Sequence, residues 1–334
     1  MMRYLDLFTT DPAFNLAAEQ YVFDHLPRDS AWLMLWQNDN AIIIGKHQNT
    51  AAEINEAYVR EHGIKVVRRL SGGGAVYHDL GNLNFTLIAD DQGGAIDFRL
   101  FCQPVIRALE KAGVHAELNG RNDMTINGQK FSGNAQYRKN GRVMHHGTIL
   151  FDSDPSVLAN ALQVDAEKVR AKGVKSVRSR VTNVRPHLPA DMTLPAFRAL
   201  LLQTLLEENP GTEYTFTADD LAAITAIQRE RYDTWAWNFG ASPACDLQLR
   251  RRFEGCGTVE AYLKLTHGLI ESISFRGDFF SLEDPAALAR QLVGCRRTPE
   301  ALSRALAQTD VSQYFHGLTN ALFVDLICDI RREP

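Results

Sequence analysis

The segment 122–132, Asn-Asp-Met-Thr-Ile-Asn-Gly-Gln-Lys-Phe-Ser, sets an acid, a lysine and two hydroxyls around one Asn-Gly pair. Asn-Gly between alternating residues is a strong signal for a two-residue hairpin turn. Closing that turn pairs Ile126 with Gln129, Thr125 with Lys130 and Asp123 with Ser132. Met124, Ile126 and Phe131 then face the core, while Asp123, Thr125, Lys130 and Ser132 share the other side. A lysine on such a face can neutralise an anionic substrate and a charge that develops during reaction. Taken alone, the same residues also describe a solvated face with a modest ion pair. Gly133 is a candidate bulge, so the register is not carried forward to His145 and His146.

A second stretch, Arg68-Arg69-Leu70-Ser71-Gly72-Gly73-Gly74-Ala75-Val76-Tyr77-His78, places three glycines behind two arginines. No lysine follows at P-loop spacing, and the glycines do not match a GxGxxG that opens a helix. The order is strand, glycine loop, strand, which argues against both standard nucleotide folds. Consecutive backbone N–H groups can still cup an anion, and the arginines add fixed charge. The plain reading is a sharp loop with surface arginines. The pair His145-His146 does not form a metal site by itself, because neighbouring strand residues point to opposite faces. At most one of the two lines a site. Lys172, Lys175, Arg178, Arg180 and Arg185 crowd one short stretch, readable as a phosphate-gripping loop, a docking patch or a solvated surface.

The elements that must position these residues follow from periodicity. Asp11-Pro12 opens a helix through residue 26. Apolar runs near 32–37 and 41–49 suit buried strands, and a helix ends at Gly63 before a strand that enters the glycines. Residues 82–90 alternate Leu83, Phe85 and Leu87 with Asn82, Asn84 and Thr86, which predicts a half-buried strand. After a helix near 100–114 come three antiparallel strands, roughly 122–126, 129–136 and 142–151, with Asn127-Gly128 and Asn140-Gly141 as turns. Helices follow near 155–162, 195–208 and 218–232. Beyond a composition shift at 234–245 lie a hairpin turning at His267-Gly268 and helices starting at Asp284-Pro285 and Thr298-Pro299.

The chain has 334 residues and a net charge of -4. That length exceeds one ordinary core, and the predicted division is 1–245 and 246–334. The charge lacks the basic field of a nucleic-acid binder. No apolar run reaches membrane-spanning length and the N-terminus does not read as a secretory signal. Cys102, Cys245, Cys256, Cys295 and Cys328 are scattered and form no CxxC, so neither a disulfide framework nor a zinc site is expected. A reduced, cytoplasmic setting is the expectation.

Taken together, residues 68–82, 120–136, 145–152 and 172–183 resemble the lipoate-protein ligases in order, spacing and wording. The resemblance implies an α+β fold: a mixed, largely antiparallel sheet with flanking helices, akin to biotin ligases and class II synthetases, plus a small α+β C-terminal domain. It implies activation of lipoate by ATP and Mg²⁺ to lipoyl-AMP, with pyrophosphate released. The lipoyl group then passes to a lysine of apo lipoyl domains in 2-oxoacid dehydrogenase complexes or of the glycine cleavage H protein. Octanoate is a further candidate substrate, and a monomer is expected, without nucleic-acid or membrane partners. By the same resemblance, Arg69, Ser71, Gly72, Gly73, Gly74, Lys130, His146 and Gly147 bind lipoate. Arg69, Gly74, Ala75, Val76, Tyr77, Asn122, Asp123, Lys130, Lys172, Ser176 and Arg178 hold ATP or the adenylate. Lys130 is the catalytic residue and Asp123 the candidate metal ligand. The stretch from Lys172 to Thr182 matches a loop that closes over the adenylate.

Three other readings are weighed against this one. A lipoyl or octanoyl transferase would need a preactivated donor, and dependence on ATP separates it. Its cysteine-dependent form is disfavoured, because Cys102 reads as a buried small hydrophobe. A silent binding module fits less well, since the glycines, Arg69 and Lys130 are all present. A nucleic-acid role for the arginine-rich stretch lacks interleaved aromatics.

Overall fold

Two tight turns organise the middle of the chain. Asn127 and Asn140 both have φ of 52°, and Gly128 and Gly141 follow at 76° and 69°. Positive φ at both central positions is the type I′ geometry that Asn-Gly favours. The turns join β8 (Asp123–Ile126), β9 (Gln129–Lys139) and β10 (Arg142–Leu150) into an antiparallel meander. The computed structural model describes residues 2–91, 93, 96–120, 122–162, 181–208, 210–240, 247–266 and 268–330.

The described residues form two compact units, one of 1–44, 50–70 and 75–239, the other of 45–49, 71–74 and 240–334. In the first, β1 (Met2–Asp6), β2 (Ala31–Trp36), β6 (Asn82–Asp90), β7 (Glu117–Asn119), β11 (Gly211–Glu213) and the meander build an eight-stranded sheet. Its order is β11-β1-β2-β6-β10-β9-β8-β7. β1 runs parallel to β2 and β11, and the other pairings are antiparallel. A small sheet of β3 (Ala41–Ile44), β4 (Lys65–Arg68) and β5 (Val76–His78) has the order β4-β3-β5. The expected mixed, largely antiparallel α+β architecture is therefore what forms.

Helix α1 (Pro12–His25) starts at Asp11-Pro12 as its sequence dictates. Its Leu16, Ala17, Val22 and Phe23 pack with Trp32, Met34, Trp36, Ile88 and Met144, which lie on one face of the large sheet. The opposite face carries His145, which stacks on Phe101 of α4 (Arg99–Lys111). The sheet is thus buried on both sides, and that corrects one expectation. β6 is not half-buried, because Asn82 through Ile88 are all buried. Alternation survives in the sequence, but it separates two buried faces, one of them polar, rather than core from solvent.

A second correction concerns register. Thr125 does pair with Lys130 and Ile126 with Gln129, but Met124 pairs with Ser132 and Asp123 with Gly133. The irregularity lies between Met124 and Thr125, so Phe131 is the extra residue and not Gly133. Beyond it the pairing with β10 is regular, with His145 opposite Gln136 and His146 opposite Ala135.

In the second unit β12 (Leu247–Phe253), β13 (Gly257–Thr266) and β14 (Leu269–Gly277) form an antiparallel sheet. Helices at Pro285–Leu292 and Pro299–Ala305 begin where Asp284 and Thr298 cap them. Phe275, Phe279, Phe315 and Phe323 sit in its core.

Candidate active site

The type I′ turn at Asn127-Gly128 fixes where Lys130 emerges. Its Nζ lies 2.7 Å from Asp123 Oδ1, with the side chains 37% and 35% exposed, so the pair sits at a rim. Gly133 explains how the ammonium reaches inward, since a Cβ there would lie 3.0 Å from Lys130 Nζ. The carbonyl of Lys130 accepts from Thr182 N at 2.9 Å, and Lys130 bridges Val181 in parallel. The end of the basic stretch is therefore stitched to the lysine.

The bulge at Phe131 parts Ser132 from the residues that simple alternation had put with it. Ser132 is buried, and its Oγ accepts from Asn134 Nδ2 at 3.2 Å. Thr125 is also buried and lies 3.5 Å from Glu117. Lys130 and Asp123 keep the rim with Thr125 paired beside the lysine, and only Ser132 is turned to the other face. Asn122 donates from Nδ2 to Asn134 O at 2.6 Å, and its own carbonyl accepts from Asn134.

Strand pairing places Gly133, Thr148, Asn84 and Trp36 in one row across β9, β10, β6 and β2, since Thr148 faces Asn84 and Asn84 faces Trp36. Gly133 N donates to Thr148 Oγ1 at 3.2 Å. The next row along holds Ala135, His146, Thr86 and Met34. His146 Nδ1 lies 2.8 Å from Glu19 Oε1 of α1, and Thr86 Oγ1 donates to the same oxygen at 2.6 Å. Trp36 Nε1 donates to Thr86 Oγ1 at 2.9 Å. Glu19 is 2% exposed, so this carboxylate is buried and pinned by hydrogen bonds.

Arg69 is buried as well, and one of its nitrogens donates to Ile43 O at 3.1 Å. Burial lowers its pKa to about 10, while the attraction of Glu19 works the other way. His78, on β5, accepts at Nδ1 from Asn38 Nδ2 at 3.1 Å, which leaves the ring proton on Nε2. Burial first, then Arg69 and His146, push its pKa down to about 3, so it is neutral near pH 7. A small cavity beside Tyr77 is lined by Leu150, Ser153, Thr182 and Asn183. There Asn183 mimics a strand partner, accepting from Ser153 N at 3.0 Å and donating to its carbonyl at 2.9 Å.

Of the residues expected at the site, the first unit brings Lys130, Asp123, His146 and Arg69 to the face under α1. Gly147 does not join them there. It lies on the opposite face, where a Cβ would meet Asn134 Oδ1 at 2.3 Å and the Phe85 ring at 2.5 Å. Ala75, Val76 and Tyr77 lead into β5, and Val76 pairs with Ile43. Ser71, Gly72, Gly73 and Gly74 belong to the second unit. A Cβ on Gly72 would lie 2.3 Å from Phe279 O, and Gly73 takes φ of 92°. The close backbone neighbour seen at this run is therefore Phe279. Lys172, Ser176 and Arg178 lie outside the described residues.

Sequence reasoning passed over Glu19, Asn38, His78, Asn84, Thr86 and Trp36. For Glu19 the signal was available, because it sits at i+3 from Leu16 on the apolar stripe of α1, where an acid must find partners. For Asn84 and Thr86, alternation was mistaken for solvent exposure.

Comparison with known proteins adds a family. Residues 11–206 match the lipoyl protein ligase A/B catalytic domain, and 242–327 match the bacterial lipoate protein ligase C-terminus. The lipoate-protein ligase LplJ of Bacillus subtilis is 44% identical over 95% of this chain and 97% of its own. Among solved structures, lipoate-protein ligase A bound with ATP is 26% identical, with a TM-score of 0.62 over 72% of this chain and 98% of that one. The bipartite lipoate protein ligase of Thermoplasma acidophilum, described together with its E2 lipoyl domain as an archaeal lipoylation system, is 28% identical, with a TM-score of 0.63 over 74% of this chain and 98% of that one.

Proposed function

The chain belongs to the lipoate-protein ligase family, and on that premise we propose that it is an ATP-dependent ligase working through lipoyl-AMP. The observation that carries the reading is the Lys130–Asp123 pair at the rim of a buried face that runs from Gly133, Thr148 and Asn84 to Ile88 and Met144. A fatty-acid-like substrate has the same polarity, a charged head and an apolar tail.

In the first step a carboxylate oxygen attacks the α-phosphorus of ATP. A new P–O bond forms while the bond to pyrophosphate breaks, and pyrophosphate leaves with the electron pair. Both reactants are anions, so their approach needs a cation, and Lys130 is positioned to supply it. Mg²⁺ would arrive with the triphosphate and shield its remaining charge. Among the described residues no three His, Cys, Asp or Glu gather as a metal site, so Asp123 would serve as a single carboxylate beside phosphate oxygens, an ordinary arrangement for this ion. The adenine would lie by Tyr77 and Asn183, next to the strand bridge that ends at Lys130.

In the second step the amine of an acceptor lysine, freed of its extra proton by solvent, attacks the acyl carbonyl. The C–N bond forms, the C–O bond to AMP breaks, and the amine loses its second proton. Lys130 stabilises the oxygen on which charge gathers and the departing AMP. The adenylate is reactive enough that positioning of the amine supplies much of the remaining rate. The acceptors proposed are apo lipoyl domains, including those of 2-oxoacid dehydrogenase complexes and the H protein, in keeping with the E2 lipoyl domain named with the archaeal relative. Free thiols at Cys102, Cys256, Cys295 and Cys328 fit the cytoplasm as the site of action.

Pyrophosphate release from ATP, Mg²⁺ and lipoate, without acceptor, tests the reading. Release that requires lipoate, with lipoyl-AMP trapped, is the expected result. Folded protein that releases none, yet transfers from a preactivated acyl donor, overturns it in favour of a transferase.

A further inference from the structure

Asn84 has an amide that the fold itself leaves unanswered. It is 1% exposed, the third residue of β6. Its Oδ1 accepts from Asn82 Nδ2 at 3.0 Å, which turns Nδ2 away from Asn82. Among the described residues, that Nδ2 has no hydrogen-bond partner. A buried donor left unmade costs about 1–3 kcal/mol, so a protein keeps one where something else completes it.

Its position says what that partner is. Asn84 faces Thr148, which takes the N–H of Gly133, and Gly133 leaves the space into which Lys130 Nζ reaches. Lys130 and Asn84 are thus on one face, two strands apart, or about 10 Å between backbones. Both side chains stand on that face, one charged and one neutral, and both can donate. His146 and Thr86 meet at Glu19, and Trp36 reaches from the row of Asn84 to donate to Thr86, so the Asn84 amide nitrogen is left for a ligand oxygen.

We propose that Asn84 Nδ2 donates to the acyl oxygen of the substrate opposite Lys130, first on the free carboxylate and then on the carbonyl of the adenylate. The inference rests on the ligase reading and adds a second oxyanion donor to it. In the transfer step, the carbonyl oxygen gains negative charge as the C–N bond forms and returns it as the C–O bond to AMP breaks. Asn84 holds that charge without exchanging a proton. Asn82 is a positioning residue, since it fixes which end of the amide points inward.

The test measures two half-reactions on the full chain: lipoate-dependent pyrophosphate release, and single-turnover transfer from prepared lipoyl-AMP to an apo lipoyl domain. Asn84→Ala should lower both rates per folded molecule about 10²-fold, the scale of losing one such donor, with a modest fall in melting temperature, because Asn82 Nδ2 loses its acceptor. Asn84→Asp keeps the volume. Its rates should recover as pH falls, when the protonated carboxyl regains a donor, a trend that mere packing would not produce. Wild-type rates in Asn84→Ala, as expected if Nδ2 only held a water, overturn the proposal. So does a loss of rate that follows a loss of folded protein, or an Asn84→Asp profile parallel to wild type. If wild-type protein carries out neither half-reaction, the ligase reading falls instead, which keeps the two failures distinct.

Discussion

His145 and His146 are neighbours in sequence and opposites in environment. His145 stacks on Phe101 at 4.9 Å and lies within hydrogen-bond reach of Gln136 and Asn134, with the Cys102 thiol 4.0 Å away. Burial, then His146, holds its pKa well below the ordinary value. His146, turned over by one residue of strand, meets Glu19, and its row of the sheet lies next to the row reached by Lys130. One face is aromatic and closed, and the other carries a buried acid and a rim cation. The lesson is that residue type decides little here. Strand parity and the helix laid on each face turn one histidine into packing and the other into part of a polar network.

Breaking the reactive face should have the largest effect. Lys130→Ala is expected to lower the adenylation rate about 10²–10³-fold, roughly 3–4 kcal/mol of barrier, with little change in melting temperature since the side chain is a third exposed. Pyrophosphate release checks this, and a near-normal rate would remove Lys130 from the chemistry. Next comes Glu19→Ala, which strips the buried partner from His146 and the attraction on Arg69. Denaturant unfolding should show about 3 kcal/mol lost. A neutral result would mean that His146 and Arg69 do not depend on it.

On the closed face, His145→Ala should cost about 2 kcal/mol in stability while kcat per folded molecule stays the same. A specific loss of kcat would erase the contrast between the faces. Acid sensitivity sharpens it further. His78 is held neutral by burial, with a pKa near 3 against 6.5 when unfolded, so the unfolded chain binds protons first as pH falls. The stability tied to its neutral form is complete above about pH 6.5 and is lost as pH drops toward 3. Unfolding free energies at pH 7.5 and 4.5 should differ less in a His78→Asn, His145→Phe variant. The smallest effect is expected for Cys102→Ala. Burial pushes this thiol up to about 12, so it is not a nucleophile, and activity should remain within about twofold. A large loss would revive a cysteine-dependent transferase.

Some of the site was legible because its determinants are local. Asn-Gly demands positive φ twice in succession, so the hairpin and the pairing of Thr125 with Lys130 could be read from four residues. Asp11-Pro12, Asp284-Pro285 and Thr298-Pro299 marked helix starts for the same reason. The Asp123–Lys130 ion pair came with the hairpin. The bulge at Phe131 was not legible, because Phe131 and Ser132 are both buried, and two successive buried residues cannot be told from simple alternation.

The chain order thus determined the elements, the turns and the wording that marks the family, since each depends on backbone preferences within a few residues. Only the tertiary structure decided which polar residues of β6 are buried, that Glu19 of α1 meets His146 of β10, and that Gly72 lies against Phe279 in the second unit. These contacts join residues 127 apart or more in sequence, and they form because each sheet face must be covered by another element. Periodicity reports that a face exists. What covers it, and so which of its polar groups remain for a substrate, is settled by packing.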